Sequence, residues 1–440
     1  MRLRSAGDPG ATTGSIMIII VVTVMLMTTL IVSSSAIRYG LGGAPSPSSS
    51  SSSSVATTSA TPGPSATTAS ASSSSTASPA SSTSSASPLP PPVAPESSTY
   101  QSCVTDSGTV YCVEGNQTYF AQLSGSSGMG GWQATTSYPL DAGTCVAGSG
   151  YIYCVDGDDQ GAASSSVYYA QLSSSGIGSW KETTSYPFPL DYGPSCVTSG
   201  GGIYCLGGNS TVPGTGGSDL VYYAPISSAG VGQWRQVGIY GYSGGVPVAV
   251  LNGPGPYVGL GSGPACVTSS GDAYCVGGAL CYETIAGPGC VADRYSFYTV
   301  LGSGRGIQLP PGASADSPSA WANATIYPDL ASLDSSYQDV DNLSCVSASG
   351  YIYCVGGGPE GGGVNATYFA PLSGSGIGSW TATTDYPVGI ASASCVTDSG
   401  YIYCINGVAT LGPAGTAVPT SYYAPLSGSG IGPWLPTSDF

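Results

Sequence analysis

The sequence predicts an all-β protein in which one four-stranded unit occurs six times, the arrangement of a six-bladed β-propeller. Six copies of one repeat fill the chain from about residue 101 to its end, and each contains a cysteine pair, an aromatic pair and one tryptophan. No stretch within these copies has the helical spacing of apolar side chains. A period near 50 residues with about four short strands per unit is typical of propellers.

The N-terminal segment predicts a membrane anchor. Arg2 and Arg4 precede an apolar run from Ile16 to Val32, and at ~1.5 Å per residue this run is long enough to cross a bilayer. Residues 1–15 would form a short cytoplasmic tail and residues 16–37 a transmembrane signal-anchor, with the C-terminal domain outside the cell. The small residues Ser34 to Ala36 also fit a cleavage site, so the alternative is a cleaved signal peptide and a secreted protein.

Residues 38–98 are predicted to be a disordered stalk. This segment consists almost wholly of Ser, Thr, Ala and Pro, a composition that cannot bury a core. It is also the composition of O-glycosylated stalks, although a bare flexible linker explains it equally well.

Residues 99–440 contain the six repeats, and each divides into four predicted strands. The first begins at the first cysteine, the second is a run such as Tyr151 to Val155, the third a run such as Val167 to Leu172, and the fourth follows the tryptophan. These runs are β-branched and aromatic and are bounded by Gly, Ser and Pro, which favours strands. We expect each blade to come from one contiguous segment, so that packing of the first blade on the last closes the ring.

All fourteen cysteines fall into pairs nine positions apart, and an even count at fixed spacing indicates disulfides and an oxidising compartment. The alternative, that the cysteines bind a metal ion, is excluded because the chain has no histidine and no Cys-x-x-Cys sequence. The expected pairs are Cys103–Cys112, Cys145–Cys154, Cys196–Cys205, Cys266–Cys275, Cys281–Cys290, Cys345–Cys354 and Cys395–Cys404.

The nine-residue spacing also predicts the turn inside each repeat. When Cys103 is placed opposite Cys112, pairing inward leaves Ser107-Gly108 as a two-residue hairpin loop. Glycine supplies the positive φ that such turns need. The cysteines then occupy a non-hydrogen-bonded pair with Cα atoms about 4.5 Å apart, within reach of a disulfide. A three-residue bulged loop is the competing interpretation and would move the cysteines out of register.

The repeats resemble those of Kelch-type β-propellers. The resemblance is carried by the di-glycine after the second strand, by the aromatics of the third strand and by the tryptophan that follows; the di-glycines are Gly207-Gly208, Gly277-Gly278 and Gly356-Gly357. Single glycines stand there at Gly115, Gly157 and Gly407, and the distance from the third strand to the tryptophan is longer than in typical Kelch units. The resemblance implies the fold and says little about activity, because propellers serve many functions.

Charge is scarce and mostly negative. Charged residues make up 7% of the chain and the formal net charge is −16. Such a surface repels nucleic acid phosphates, so no nucleic acid partner is expected. A surface of Ser, Thr, Asn, Gly and Tyr with so few charges would also suit strongly acidic surroundings.

The repeats differ mainly by insertions, and these loops are where function is expected. The largest are 237–265 and 276–320, and the second contains Cys281 and Cys290. A disulfide there would make it a preorganised recognition loop, or only a staple on a long insertion. Glu283, Asp293 and Arg294 are the candidate binding residues in it.

Two kinds of loop motif predict further sites. Asp156, Asp158 and Asp159 with Gly161 weakly resemble a calcium loop but lack its final glutamate, and Asp339, Asp341 and Asn342 form a second weak candidate. Sequons for N-glycosylation begin at Asn116, Asn209, Asn323, Asn342 and Asn365.

Catalysis has little support in the sequence. Without histidine, Ser–His and Cys–His nucleophiles and histidine-ligated zinc are excluded, and no cofactor is predicted. A glycosidase that uses two carboxylates stays open, with Glu283, Asp293 and Glu360 as candidates. The 31 tyrosines could stack on sugars, but their repeated strand positions favour core and blade contacts.

The sequence therefore predicts a cell-surface propeller that binds an extracellular glycan or protein without catalysis. The alternatives are a secreted enzyme that acts on glycans through acidic loop residues, and a structural subunit of a surface layer.

Overall fold

The computed structural model describes residues 101–440 except 142, 158–161, 191–193, 209–219, 241–256, 263, 285–286, 293, 303–305, 308–320, 331–341, 359–362 and 410–415. The predicted tail, membrane segment and stalk lie outside the described residues and stay predictions. No helix in the described part has the length and apolar character of a membrane span.

The six repeats form six antiparallel sheets, each made by one contiguous segment in the strand order predicted. The innermost strands are Gln101–Asp106, Thr144–Gly148, Ser195–Ser199, Ala265–Ser269, Ser344–Ala348 and Ser394–Asp398. The second strands are Thr109–Glu114, Tyr151–Val155, Gly202–Leu206, Asp272–Val276, Tyr351–Val355 and Tyr401–Ile405. The third strands are Gln117–Gln122, Val167–Ser173, Leu220–Ser227, Ser296–Gly302, Thr367–Ser373 and Tyr422–Ser427.

The fourth strand differs from the prediction, because it starts before the tryptophan and is interrupted there. Its first part pairs with the end of the third strand in blades 2 to 6, at Gly176–Ile177, Gly230–Val231, Gly306–Ile307, Gly376–Ile377 and Gly430–Ile431. In blade 1 a 3-10 turn, Gly125–Ser127, and a bridge from Leu123 to Met129 replace it. The second part is Gln133–Ala134, Lys181–Glu182, Arg235–Ile239, Ala322–Asn323, Thr381–Ala382 and Leu435–Pro436. Short, interrupted edge strands of this kind resist pairing with other chains.

The predicted two-residue hairpins are present in all six blades. Asp106 pairs with Thr109 across Ser107-Gly108, and both loop residues have positive φ, 49° and 76°. The same left-handed pair occurs at Ser149-Gly150, Gly200-Gly201, Ser270-Gly271, Ser349-Gly350 and Ser399-Gly400. The bulged three-residue loop is therefore ruled out, because the cysteines face each other in register in every blade.

Six disulfides join the first and second strands, one in each blade. Their Cα atoms are 4.0–4.1 Å apart, slightly closer than expected. The cysteine of each second strand is fully buried, so the covalent link lies within the core.

The ring is closed by packing, as expected. Each innermost strand lies beside those of the two neighbouring blades, and that of blade 1 lies beside that of blade 6. The hydrophobic clusters lie between blades; the cluster at the closure contains Val110 and Met129 of blade 1 and Val396, Tyr403 and Phe440 of blade 6. The hydrophobic core is thus divided among the interfaces between neighbouring blades.

Uncharged side chains hold the blades together at their inner and outer ends. Near the axis, Ser394 Oγ accepts from the backbone N–H of Cys103 at 2.9 Å, and Ser102 Oγ accepts from that of Cys145 at 2.9 Å. At the outer edge, Thr183 Oγ1 accepts from the N–H of Val231 at 2.9 Å and donates to its carbonyl oxygen at 3.1 Å. Hydroxyls thus satisfy strand-edge groups that would otherwise lack partners.

Candidate functional site

The six blades differ from one another more at one end of the propeller than at the other. We call the end with the first-to-second and third-to-fourth hairpins the turn face. The opposite end, with the second-to-third loops and the connections between blades, is the variable face, because antiparallel strands place both kinds of connection at one end. The described insertions with their own secondary structure lie on the variable face, at blades 4 and 6.

On the variable face the di-glycine positions have a left-handed backbone. Gly356 and Gly357 have φ of 68° and 94°. Asp156 and Asn406 occupy the first of these positions in blades 2 and 6, with φ of 72° and 53°. Asp and Asn tolerate this left-handed region better than other residues with a side chain. The left-handed backbone at the end of the second strand therefore explains why an aspartate stands at position 156.

Blade 4 has an additional three-stranded sheet on its variable face. Tyr257–Ser262, from the first insertion, pairs with Ala279–Thr284, which pairs with Gly287–Ala292. The insertion 276–320 is therefore not one loop. It contains this hairpin, held by a strand from the other insertion, but also the third strand of blade 4, Ser296–Gly302. Cys281 lies opposite Cys290 in its backbone register, so the seventh disulfide stays a prediction with compatible pairing.

The structure gives different results for the three candidate binding residues. Glu283 is the second-last residue of its strand, opposite Pro288 and close to the hairpin tip. Asp293 lies outside the described residues. Arg294 is about half exposed and forms an ion pair with Asp329, with Nη1 and Oδ2 3.0 Å apart. An exposed pair of this kind contributes ~0–1 kcal/mol to stability. The carboxylate of Asp329 already occupies the guanidinium of Arg294.

Blade 6 repeats this arrangement on a smaller scale. Ile390–Ala391, in the connection from blade 5, pairs with Val408–Ala409, which pairs with Thr416–Ala417. Ile390 is fully buried and also bridges to Val364 in the second-to-third loop of blade 5. The variable face is therefore built up at blades 4 and 6, on either side of blade 5.

The calcium candidates gain no support where they can be assessed. Asp156 is buried, with 3% of its surface exposed, while Asp158, Asp159, Gly161, Asp339 and Asp341 lie outside the described residues. Asn342 has a left-handed backbone, and its carbonyl oxygen accepts from the N–H of Ser392. Within the described ranges, no three acidic or cysteine side chains lie close enough together to hold a metal ion. Glu360, a glycosidase candidate, is also outside them.

The sequons that can be assessed differ in exposure. Asn116 and Asn365 are exposed at the second-to-third loops of blades 1 and 5, and Asn323 is exposed on the outer strand of blade 4. Asn342 is half-buried, and Asn209 lies outside the described residues. Attachment of sugar at any of them stays a prediction.

The tyrosines form core and blade contacts, as their positions predicted. Three aromatic rings meet at every blade interface. One follows the outer strand of a blade, and it packs edge-on between two rings of the next blade, a third-strand aromatic and the tryptophan. Tyr138 contacts Tyr168 and Trp180 in this way, with ring centroids 5.9 and 5.0 Å apart. The other five sets are Tyr186 with Tyr222 and Trp234, Tyr240 with Phe297 and Trp321, Tyr327 with Tyr368 and Trp380, Tyr386 with Tyr422 and Trp434, and Phe440 with Tyr119 and Trp132. We call these sets the aromatic trios.

Burial raises the pKa of the inserted tyrosines. The pKa values of Tyr138, Tyr186, Tyr327 and Tyr386 lie well above the ordinary 10, because removal from water disfavours the phenolate. A second set of tyrosines donates to the third-to-fourth hairpin of the next blade, for example Tyr153 to the carbonyl oxygen of Ser227 at 2.9 Å. Burial raises the pKa of Tyr153 to about 12. These phenols stay protonated near neutral pH and act as hydrogen-bond donors.

Comparison with known proteins supports the fold and nothing finer. No protein-family model and no curated protein matches the sequence. Among the solved structures that match is one described as "Structure of YjhT", with a TM-score of 0.54, 14% sequence identity, and coverage of 78% of this chain and 99% of that chain. The fold is a six-bladed β-propeller. At this identity the likeness shows the fold alone.

Proposed function

We propose that this protein is a non-catalytic binding protein outside the cell. In this proposal the segment 16–37 anchors it in the membrane as a single-pass protein, and the stalk 38–98 carries the propeller away from the surface. Its ligand is an extracellular glycan or protein.

The observation that carries the proposal is the contrast between the two faces of one disulfide-linked ring. Six disulfides fit an oxidising, extracellular location. The first-to-second hairpins of the turn face are the same two-residue turn in all six blades, whereas the variable face has added sheets at blades 4 and 6. A rigid scaffold that varies at one set of loops is the usual design of a recognition protein.

The absence of catalysis in this proposal rests on side-chain chemistry. The chain has no histidine. Arg294, one of its few cations, is engaged with Asp329. The described residues therefore supply aromatic rings, hydroxyls and a few carboxylates, which are suited to binding.

The test is a binding and turnover assay of the full-length protein on an array of glycans and on candidate surface proteins. Saturable binding without change to the ligand supports the proposal. Turnover of a glycan that is abolished by Glu283→Gln would establish the enzymatic alternative. Ordered arrays of the protein on isolated cell envelopes would establish the structural alternative.

A further inference from the structure

The six aromatic trios are not equally accessible. In the trio at the interface of blades 3 and 4, Phe297 and Trp321 are buried, with 4% and 3% of their surfaces exposed. In the other five trios the third-strand tyrosine and the tryptophan are half-buried, so both residues keep some surface in contact with solvent. These five trios therefore present aromatic surface to solvent at equivalent positions, and we call the solvent-exposed part of each trio its groove.

Among these five, two neighbouring trios have a planar polar side chain beside the aromatic rings; the equivalent residue at the buried trio of blade 4 is Asn323, opposite Phe297. Glu182 is the strand partner of Tyr168 in blade 2, and Gln236 is the strand partner of Tyr222 in blade 3. Partners across a strand pair project from the same face of the sheet. The equivalent residues in blades 1, 5 and 6 are Ala134, Ala382 and Pro436, which lack such a group.

Hydrogen bonds hold the two tryptophans and Glu182 in these grooves. The indole N–H of Trp180 donates to the carbonyl oxygen of Thr136 at 3.0 Å, and that of Trp234 to Thr184 at 3.1 Å. Ser166 Oγ donates to Glu182 Oε1 at 3.3 Å.

The groove of blade 3 has a fourth aromatic ring. Phe188 lies edge-on to Tyr186 and Tyr222, with centroids 5.3 and 5.7 Å apart. Rings and polar groups held in this way lose little freedom when a ligand binds.

This set of groups fits a sugar. The C–H faces of a pyranose carry partial positive charge and pack on the negative face of an aromatic ring. A carboxylate accepts two hydrogen bonds, and an amide both accepts and donates, so each can pair with neighbouring hydroxyls. The net charge of −16 disfavours a polyanion.

We propose that the grooves at Glu182 and Gln236 are two adjacent subsites for the sugar rings of one neutral oligosaccharide. The tyrosine and tryptophan of each trio stack on a ring, and the planar polar side chain binds its hydroxyls. Because the grooves belong to consecutive blade interfaces, one chain that reaches both gains affinity from the second contact. This inference rests on the proposed binding function and specifies its ligand class.

The test is calorimetric titration of the full-length protein with neutral hexasaccharides of glucose, mannose and galactose. Glu182→Ala and Gln236→Ala should each weaken binding about tenfold, because each leaves sugar hydroxyls without a partner. The matched control is Gln133→Ala, an exposed outer-strand residue of blade 1, which should leave affinity unchanged. Circular dichroism of the variants checks that they fold.

The possible results separate this inference from the proposed function. Binding that Glu182→Ala and Gln236→Ala both leave intact overturns the subsites, while binding itself still supports the wider function. Failure of every hexasaccharide to bind, alongside saturable binding of a protein, also overturns the subsites alone. Failure to bind any glycan or protein overturns both.

Discussion

Phe440 lies edge-on against Trp132, with ring centroids 4.7 Å apart and ring planes at 88°. The contact joins the last blade to the first, and Phe440 occupies the place that a tyrosine fills in each of the other five aromatic trios. Next to it, Thr437 Oγ1 accepts from the N–H of Met129 at 2.6 Å. Thr437 and Phe440 therefore form much of the contact that closes the ring near its outer edge.

Truncating this ring should weaken the closure. Phe440 has 8% of its surface exposed, so Phe440→Ala should lower the free energy of unfolding by about 3 kcal/mol. Denaturant unfolding measures this, with Leu435→Ala as the control, because Leu435 in the same blade is 49% exposed. Equal stability of the two variants would show that the aromatic contact does not hold the ring closed.

The left-handed turns give a second prediction, which separates backbone strain from packing. A Cβ at Gly150 would meet no atom within 4 Å, but its φ is +77°. A Cβ at Gly131 would also meet none, and φ there is not in the left-handed region. Gly150→Ala should therefore cost about 1–2 kcal/mol of stability, while Gly131→Ala should cost less. A larger cost at Gly131 would contradict the turn geometry.

Alkaline pH should destabilise the fold. Burial raises the pKa of Tyr153, Tyr353 and Tyr403 to about 12, against 10 in an unfolded chain. The unfolded state then loses its phenolic protons first, so stability is complete below pH 10 and falls as the pH rises toward 12. Denaturant midpoints at steps from pH 8 to pH 12 measure this. A flat profile above pH 10 would mean that these phenols are not buried as described.

Acidic pH should lower the stability of the fold much less than alkaline pH does. Most of the polar contacts that link the described blades are formed by hydroxyls, indoles, phenols and backbone groups. Arg294–Asp329 is the one ion pair in the described ranges, and it is exposed, so its loss costs ~0–1 kcal/mol. The melting temperature at pH 3 should thus stay close to that at pH 7. A much lower value at pH 3 would contradict the predicted suitability for acidic surroundings.

Much of the fold follows from the sequence because its information is local and repeated. The spacing of Cys103 and Cys112 with Ser107-Gly108 between them determines one hairpin, and six copies specify the blade. The interruption of the fourth strand was not predicted, because it depends on where the tryptophan packs against the preceding blade.

The proposed sugar subsites were harder to predict for a related reason. Glu182 and Gln236 both stand two positions after the tryptophan of their repeat. At this position the repeats of blades 1, 5 and 6 have alanine or proline instead. That signal was present in the sequence, but their nearness to Tyr168 and Tyr222 becomes visible only when the strands are paired. Glu283 and Arg294 lie in an insertion, where no repeat indicates what each side chain faces.

The measurement that tests the central claim most directly is a map of the disulfides in the native protein, obtained by mass spectrometry of peptides released without reduction. Six closed blades require each cysteine of an innermost strand to be joined to the cysteine nine positions later, as Cys103 is to Cys112 and Cys395 to Cys404. Peptides that link cysteines of different blades, or free thiols at these positions, would contradict the closed ring of independently stapled blades.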